Sequence, residues 1–321
     1  MKYVFGPVPS RRLGRSLGVD PITLKTCNCK SVFFHLGRKR PLSDKRKIYY
    51  PTGEILREID LVLKGNQSGD IDWITIVGSG EPTLHAGIGE IIHGIKKRTD
   101  IPVAVITNGS LLHLPEVRTS LSTADAVLPS LDAGNPVSFR HINRPHPGIR
   151  YHQYIDGLQK FREDYKGKFW IEVMLIKDIN DSEDELKAIY QILKRIEPEE
   201  IHLNLPTRPP AETWIQPPDQ SSLTRAITIF GQLVRVLYEV QGACGIAGGE
   251  PEINSIVEII SRHPMTDKEI QLIFSNLVPS DLHSMLVDLE ANNKIQHVER
   301  NGKLYWAAGD SYFPGDKAFT E

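Results

Sequence analysis

Trp73-Ile74-Thr75-Ile76-Val77-Gly78-Ser79-Gly80-Glu81-Pro82-Thr83 is the stretch on which the fold turns. Its first half is an apolar, β-branched run of the kind that fills a buried strand, and Gly78-Ser79-Gly80 ends that run abruptly. A strand stopped by small residues places the following segment at the carboxyl edge of a sheet, where parallel βα proteins hold their ligands. Glycines there let the backbone approach a small molecule closely, and Glu81 can accept hydrogen bonds from an ammonium group. A plain strand-to-helix turn would use the same Gly-Ser-Gly.

Outward from this stretch, short β-branched runs alternate with helical patterns. The expected strands are Ser16–Asp20, Trp73–Val77, Val103–Thr107, Ala126–Leu131, Phe169–Ile176 and Ile201–Leu205. The expected helices are Thr52–Leu63, Gly87–Arg98, Tyr151–Tyr165, Ser182–Ile196 and Ser221–Val240, the fourth opened by a capping box from Ser182 to Glu185. This alternation predicts an α/β chain with a parallel, barrel-like sheet.

After Gly248-Gly249-Glu250-Pro251 the pattern changes. A helix over Ile253–Arg262, a capping box at Thr266–Glu269 and a helix from Ser280 to Asn292 precede two short strands, Ile295–Arg300 and Lys303–Ala307. Asn301-Gly302 between them favours a tight hairpin because both residues accept positive φ. Three helices closed by a hairpin resemble a winged helix-turn-helix. The spans expected are 1–245 for the barrel, 246–308 for this unit and 309–321 for a tail. The helix that would enter DNA carries Asp281, Asp288 and Glu290 against Lys294, so its face repels phosphates and a packing or protein-contact role is expected instead.

The 321 residues carry 38 Lys and Arg against 40 Asp and Glu, so nothing demands a polyanionic partner. The cysteines are Cys27, Cys29 and Cys244, an odd set without regular spacing that argues against a disulfide framework and for a reducing cytosol. No apolar run approaches the length needed to span a bilayer, and a soluble intracellular protein is expected.

Further polar tips follow the strands. Thr107-Asn108-Gly109 and Ser130-Leu131-Asp132 would meet at the same sheet edge as Glu81, suiting a ribose or a carboxylate. Phe139-Arg140-His141-Ile142-Asn143-Arg144 offers guanidinium groups that can pair with a carboxylate through two prongs. Each of these alone is as well read as a turn or a solvated pair. Asp20, Arg11 and Arg12 fit either a substrate-binding mouth or a charged surface loop.

Together, F-G-P-V-P-S-R-R-L-G-R-S-L-G-V-D, G-S-G-E-P-T, T-N-G-S, P-S-L-D-A-G, F-R-H-I-N-R-P-H-P, W-I-E-V-M-L-I-K-D-I-N-D and L-N-L-P-T-R-P-P-A-E resemble one group of the radical S-adenosylmethionine (SAM) superfamily. The group comprises prokaryotic proteins near the wyosine (tRNA imidazoguanosine) synthases, and the resemblance runs from Tyr3 to Pro218. It implies a partial (βα)6 TIM-type barrel, to which a small C-terminal winged helix is appended, and SAM as cofactor. Carried over by position, Gly78, Ser79, Gly80 and Glu81 hold the methionyl end of SAM. Thr107, Asn108, Ser130 and Asp132 reach its ribose or carboxylate, Arg144 pairs with a carboxylate, and Phe33 lines the adenine. Glu172, Met174 and Lys177, with His202 and Asn204, line the space beyond. Core packing for Met174 and a structural hydrogen bond for His202 account equally well for those two residues.

That family carries a C-x-x-x-C-x-x-C loop whose thiolates bind a 4Fe-4S cluster, soft anionic sulfur being what such iron requires. Laid on Thr26–Gly37, the pattern puts Cys27, Ser31 and Phe34 at its three positions. A neutral hydroxyl is a poor iron ligand and a phenyl ring offers no lone pair. Cys29 and His35 are the local substitutes, giving Cys27, Cys29 and His35 as the available set. A cluster is therefore doubtful.

Three functions follow. A SAM-binding enzyme of polar chemistry, a transferase or lyase, would use Glu81, Glu172, Lys177 or His202 as base or electrostatic stabiliser. An unconventional radical enzyme would assemble a cluster on Cys27, Cys29 and another ligand. A non-catalytic sensor or adaptor would bind SAM and shift the winged helix between partners. The resemblance points to tRNA or another nucleoside as substrate, and a small metabolite is equally consistent with the charge.

Overall fold

The structure, a computed structural model, describes residues 2–34, 42–67, 69–238, 253–274 and 277–311. Strands β1 (Val4–Ser10) and β2 (Gly14–Val19) form an antiparallel hairpin. From β2 the sheet runs parallel through β3 (Trp73–Ile76), β4 (Val103–Thr107), β5 (Ala126–Pro129), β6 (Lys168–Met174), β7 (Glu200–Asn204) and β8 (Val234–Val236), in sequential order. Helices α1 (Thr52–Gly65), α2 (Ile88–Lys96), α3 (Pro115–Leu121), α4 (Pro136–Ile142), α5 (Tyr151–Asp164), α6 (Glu183–Ile196) and α7 (Gln220–Phe230) are the crossovers.

Alternation along the strands assigns two faces. Leu17, Ile74, Ile76, Val103, Val105, Phe169, Ile171 and Ile201 belong to the main core, with Ile55, Ile91, Leu158 and Ile189 of the helices. The opposite face is the barrel interior. Its amino-terminal end is plugged by Trp73, Ala104, Ala126 and Trp170, the two indoles 6.1 Å apart between ring centroids. The sheet curls rather than lying flat, because Arg12 of the β1–β2 turn meets Glu172 of β6. The order ends at β1 and β8 without pairing them, so the strands among the described residues do not close the barrel.

Helices α8 (Ile253–Arg262), α9 (Asp267–Ile273) and α10 (Pro279–Ala291) and the hairpin β9 (Ile295–Arg300) and β10 (Lys303–Ala308) cover that side. Phe5 and Val8 of β1 enter their core beside Ile256, Met265, Phe274 and Trp306. Arg262 reaches Asp20 at 3.4 Å and the carbonyl of Lys2 at 2.9 Å, and the Tyr305 hydroxyl donates to the carbonyl of Thr207 at 3.1 Å. Asn301 and Gly302 turn the hairpin at φ 50° and 73°, as their sequence predicts.

Two expectations need correction and a third is sharpened. The helix expected over Ser221–Val240 stops at Phe230, because Gly231 adopts φ 80° and Val234–Val236 pairs with β7 instead. The segment around Arg140, open to reading as a turn in the sequence, is helix α4, capped by the Asn135 side chain and begun by Pro136. The Ser182 box is half made: Ser182 accepts from the Glu185 N–H, but the Glu185 carboxylate turns to Asn135 and Ser138. The box at Thr266 and Glu269 closes in both directions. Cys244, Gly248–Pro251 and the expected boundary at 245 lie outside the described residues, as does most of the tail. Among the described residues no helix is long and apolar enough to cross a membrane.

Candidate functional site

Glu81 leaves β3 at the carboxyl edge of the sheet and is 1% exposed. Its Oε1 accepts the Thr83 N–H at 3.0 Å, the Thr83 hydroxyl at 2.6 Å and the Thr107 hydroxyl at 2.6 Å. Its Oε2 accepts the Asn108 N–H at 2.7 Å. A carboxylate buried at this depth stands only when donors replace its water, and these four come from the edges of β3 and β4. Asn108 carries the chain of bonds onward. Its Oδ1 accepts the Ser110 N–H and hydroxyl, while its Nδ2 donates to Asn28 Oδ1 at 2.7 Å and lies 3.8 Å from Cys27 Sγ. Gly109 makes the turn at φ 74°.

The loop before β3 docks on this network. The Glu81 N–H donates to the Thr26 carbonyl at 3.0 Å, and the Lys25 N–H to the Ser79 carbonyl at 3.1 Å. Cys27 and Cys29 are both buried, and neither is in a disulfide. Cys29 bridges Pro145, and the N–H groups of Lys30 and Val32 donate to the carbonyls of Arg144 and Ile142, so the loop runs along the end of α4. Ser31 is buried, and His35 lies outside the described residues. Among the described residues no group of three or more His, Cys, Asp or Glu side chains is placed to hold a metal ion.

A cavity of about 250 Å³ opens inside the barrel. Its apolar wall includes Phe33, Phe34, Val77, Ile106 and Met174. Its polar wall begins with the Arg12–Glu172 ion pair, each side chain 13% exposed. Asn204 Nδ2 donates to Glu172 Oε1 at 2.9 Å, and Arg11 Nη1 donates to Asn204 Oδ1 at 3.3 Å. Beside Glu172 in register lies His202, whose Nε2 meets Glu200 at 2.9 Å while Nδ1 is buried without a partner. Burial against Trp170, with Arg12 nearby, pushes the imidazole below its usual value despite Glu200, so it is neutral at neutral pH.

The expected residues thus fall into separate places. Glu81, Thr107 and Asn108 share one network beside Cys27, and Phe33, Glu172, Met174 and Asn204 line the cavity. Gly78, Ser79 and Gly80 form the close packing under the loop, where a Cβ on Gly78 would press on Ile22. Ser130 bridges Glu172 through the backbone, and its carbonyl accepts the Tyr154 hydroxyl. Asp132 is buried, taking the Met174 N–H at 2.9 Å and Asn143 Nδ2 at 2.8 Å, and burial raises its carboxyl to about 7. Arg144 pairs with Glu212 at 2.5 Å, and Lys177 is exposed with its N–H on the Gln216 carbonyl. Asp20, grouped in sequence with Arg11 and Arg12, faces Ser79 and Arg262 instead. Sequence reasoning assigns no role to Asn28, Ser110 or Arg208, although Ser110 stands in the T-N-G-S stretch and Arg208 in L-N-L-P-T-R-P-P-A-E. Phe34 reads in sequence only as a lost cluster ligand, and it lines the cavity.

The radical SAM superfamily profile matches residues 27–189. The chain is 37% identical over 309 residues to a protein of Brachyspira hyodysenteriae named GTPase Obg, covering 95% of this chain and 45% of that one, so it spans less than half of that relative. It is 31% identical to a UPF0026 protein of Methanocaldococcus jannaschii, covering 95% of this chain and 96% of the relative. Among solved structures, Streptococcus suis SuiB bound to S-adenosylmethionine superposes with a TM-score of 0.51 at 16% identity, over 70% of this chain and 50% of that one. Native anSMEcpe with bound AdoMet gives the same TM-score and identity over 79% and 70%. Those likenesses concern the fold alone. With the profile match covering the cysteine loop, the Glu81 network and the strands that carry them, the chain belongs to the radical SAM superfamily, whose members are SAM-dependent enzymes.

Proposed function

We propose that the chain is a SAM-binding enzyme that uses the sulfonium by a polar route, as a transferase or a lyase. The observation that carries this is the pairing of an intact Glu81 network with a loop offering two thiols, Cys27 and Cys29, beside Ser31 and Phe34. A cubane held by three thiolates does not fit that donor set. Phe34 moreover lines the cavity. No step is therefore assigned to iron.

SAM fits better. Gly78 and Gly80 let the Ile22 side chain and the Thr26 carbonyl close against the strand edge, which holds the Glu81 network in place beside Cys27. In this reading Gly78, Ser79, Gly80 and Glu81 hold the methionyl end, Thr107, Asn108 and Ser130 reach the ribose or carboxylate, and Phe33 and Met174 shield the ring system. When bound, SAM supplies an electrophilic carbon beside its sulfonium. Glu172, held by Arg12 and Asn204, is a fixed negative charge on the cavity wall, suited to stabilising positive charge near the reacting carbon. Neutral His202 of β7, in register with Glu172 and outside the cavity lining, is read as a buried proton acceptor through Nδ1, which has no hydrogen-bond partner. Lys177, exposed, is given no step. We read α8 to β10 as a winged helix with a packing role, since Asp281, Asp288 and Glu290 line its third helix.

Incubation with SAM and identification of the products tests the proposal. Methylthioadenosine or adenosylhomocysteine is expected. 5′-Deoxyadenosine would mean a radical route through a cluster on Cys27 and Cys29, and unchanged SAM bound to the protein would mean a sensor.

A further inference from the structure

The polar wall of the cavity carries more positive charge than the proposed chemistry uses. Arg11, Arg12 and Arg208 line it together with Glu172 and Glu269, three cations against two carboxylates. They come from four parts of the chain: the β1–β2 turn, strand β6, the segment after β7 and helix α9 of the C-terminal unit. Arg12 is matched by Glu172, yet its Nε is buried with no hydrogen-bond partner. Arg208 donates from Nη1 to His263 Nδ1 at 2.7 Å and stands 4.0 Å from Glu269, whose other oxygen caps α9 through Thr266, so it is anchored on the wall by a neighbour and a carboxylate. Arg11 meets the neutral amide of Asn204.

Charge left over in a low-dielectric cavity is costly unless a counter-charge enters. The strain is visible on Arg11: burial first, then the neighbouring Arg208 and Arg12, bring its guanidinium down to about 10 against the opposing pull of Glu172 and Glu269, and it is still charged at neutral pH. Guanidinium groups present planar donor pairs that match the oxygens of a carboxylate or a phosphate. The Glu81, Thr107 and Asn108 network assigned to the methionyl end and ribose shares no residue with this polar wall, while Phe33 and Met174, assigned to the ring system, line the cavity's apolar side.

We propose that this cavity binds an anionic group, a carboxylate or a phosphate, carried by the substrate and held by Arg11 and Arg208 while Glu172 fixes Arg12. That the anion belongs to a substrate rests on the reading of the chain as a SAM enzyme; the anion site itself does not. Glu269 attenuates the site, because its charge faces Arg208.

Calorimetric titration of the full chain with inorganic phosphate and with acetate, in the presence and absence of SAM and at constant ionic strength, tests this. Saturable binding of one anion per chain is expected, and the tighter of the two names the source. Arg11→Gln and Arg208→Gln should each weaken it by about tenfold, about 1.4 kcal/mol, with SAM affinity unchanged. Glu269→Gln should tighten it about threefold, a gain that a misfolded variant cannot produce. Absence of saturable binding, equal binding by the arginine variants, or loss of SAM affinity in them would overturn the proposal, the last by assigning the arginines to the cofactor's own carboxylate. Binding of the anion without binding of SAM would keep the site and remove the SAM reading.

Discussion

The carbonyl oxygen of Thr26 occupies the place in which Gly80 would carry a Cβ. Two backbone hydrogen bonds, Glu81 to Thr26 and Lys25 to Ser79, hold the contact on either side. Loop and strand edge are thereby locked to one another by main chain, and Gly80→Ala must push backbone rather than a side-chain end. The expected result is a loss of about 1–3 kcal/mol of stability, as overpacking usually costs, together with loss of SAM binding. Gly53, on the first turn of α1 with nothing within 4 Å, is the control: Gly53→Ala should leave both unchanged or raise the melting temperature slightly. Wild-type melting and SAM titration curves for Gly80→Ala would show that the loop yields freely.

Glu81 is both a structural knot and the proposed cofactor ligand. Removing its carboxylate in Glu81→Ala strands the Thr83, Thr107 and Asn108 donors in a buried place, with an expected cost of about 3 kcal/mol in chemical unfolding. Glu81→Gln keeps an oxygen for the three donors on Oε1 but sets an amide NH₂ against the Asn108 N–H, so an intermediate loss is expected. SAM affinity should fall by about tenfold or more in the alanine variant. Retained affinity in a folded Glu81→Ala protein would remove the Gly78–Glu81 assignment.

Much of the sheet was legible because its strands are short β-branched runs with clear stops, and Val103–Thr107 matches end to end. Strand β1 was not, since Gly6, Pro7 and Pro9 argue against a strand, and it survives because it lies at the sheet's edge where missing donors are tolerated. Strand β8 was hidden by the apolar rhythm continuing from α7, which Gly231 interrupts. Within the site, Glu81 could be read from its place after a glycine stop. The partnerships could not: Asn28 and Asn108 are 80 residues apart, Arg12 and Glu172 are 160 apart, and no local spacing encodes either.

Asp132 gives the fold a pH dependence of predictable sign. Its carboxyl stands near 7 when folded, against an ordinary value of 3.8, chiefly through burial and partly through Glu172, with the Met174 and Asn143 donors opposing. Between these values the folded chain holds a proton that the unfolded chain releases, so the contribution is fully present below 3.8 and lost as pH rises through about 7. Asp132→Asn should flatten the stability profile over that window. The substitution is accommodated because Asn143 Oδ1 is buried without a partner and a turned amide can accept from the new NH₂. The check is urea unfolding at intervals across that range; an unchanged slope in the variant would place the titration elsewhere.

The loop itself can be made to report which chemistry the chain has kept. If Ser31 and Phe34 are what exclude a cubane, then Ser31→Cys with Phe34→Cys restores three thiolates at the spacing that Cys27 begins, within a loop whose backbone is already fixed to α4. After anaerobic reconstitution the double variant is expected to carry about four irons per chain with an iron–sulfur absorption band, and the wild type to carry neither. Iron retained by the double variant but lost when Cys27 is also replaced would tie the gain to this loop rather than to surface thiols. A wild-type chain that assembles the full complement through Cys27 and Cys29 would instead restore radical chemistry to first place, because the remaining ligand must then come from outside the pair.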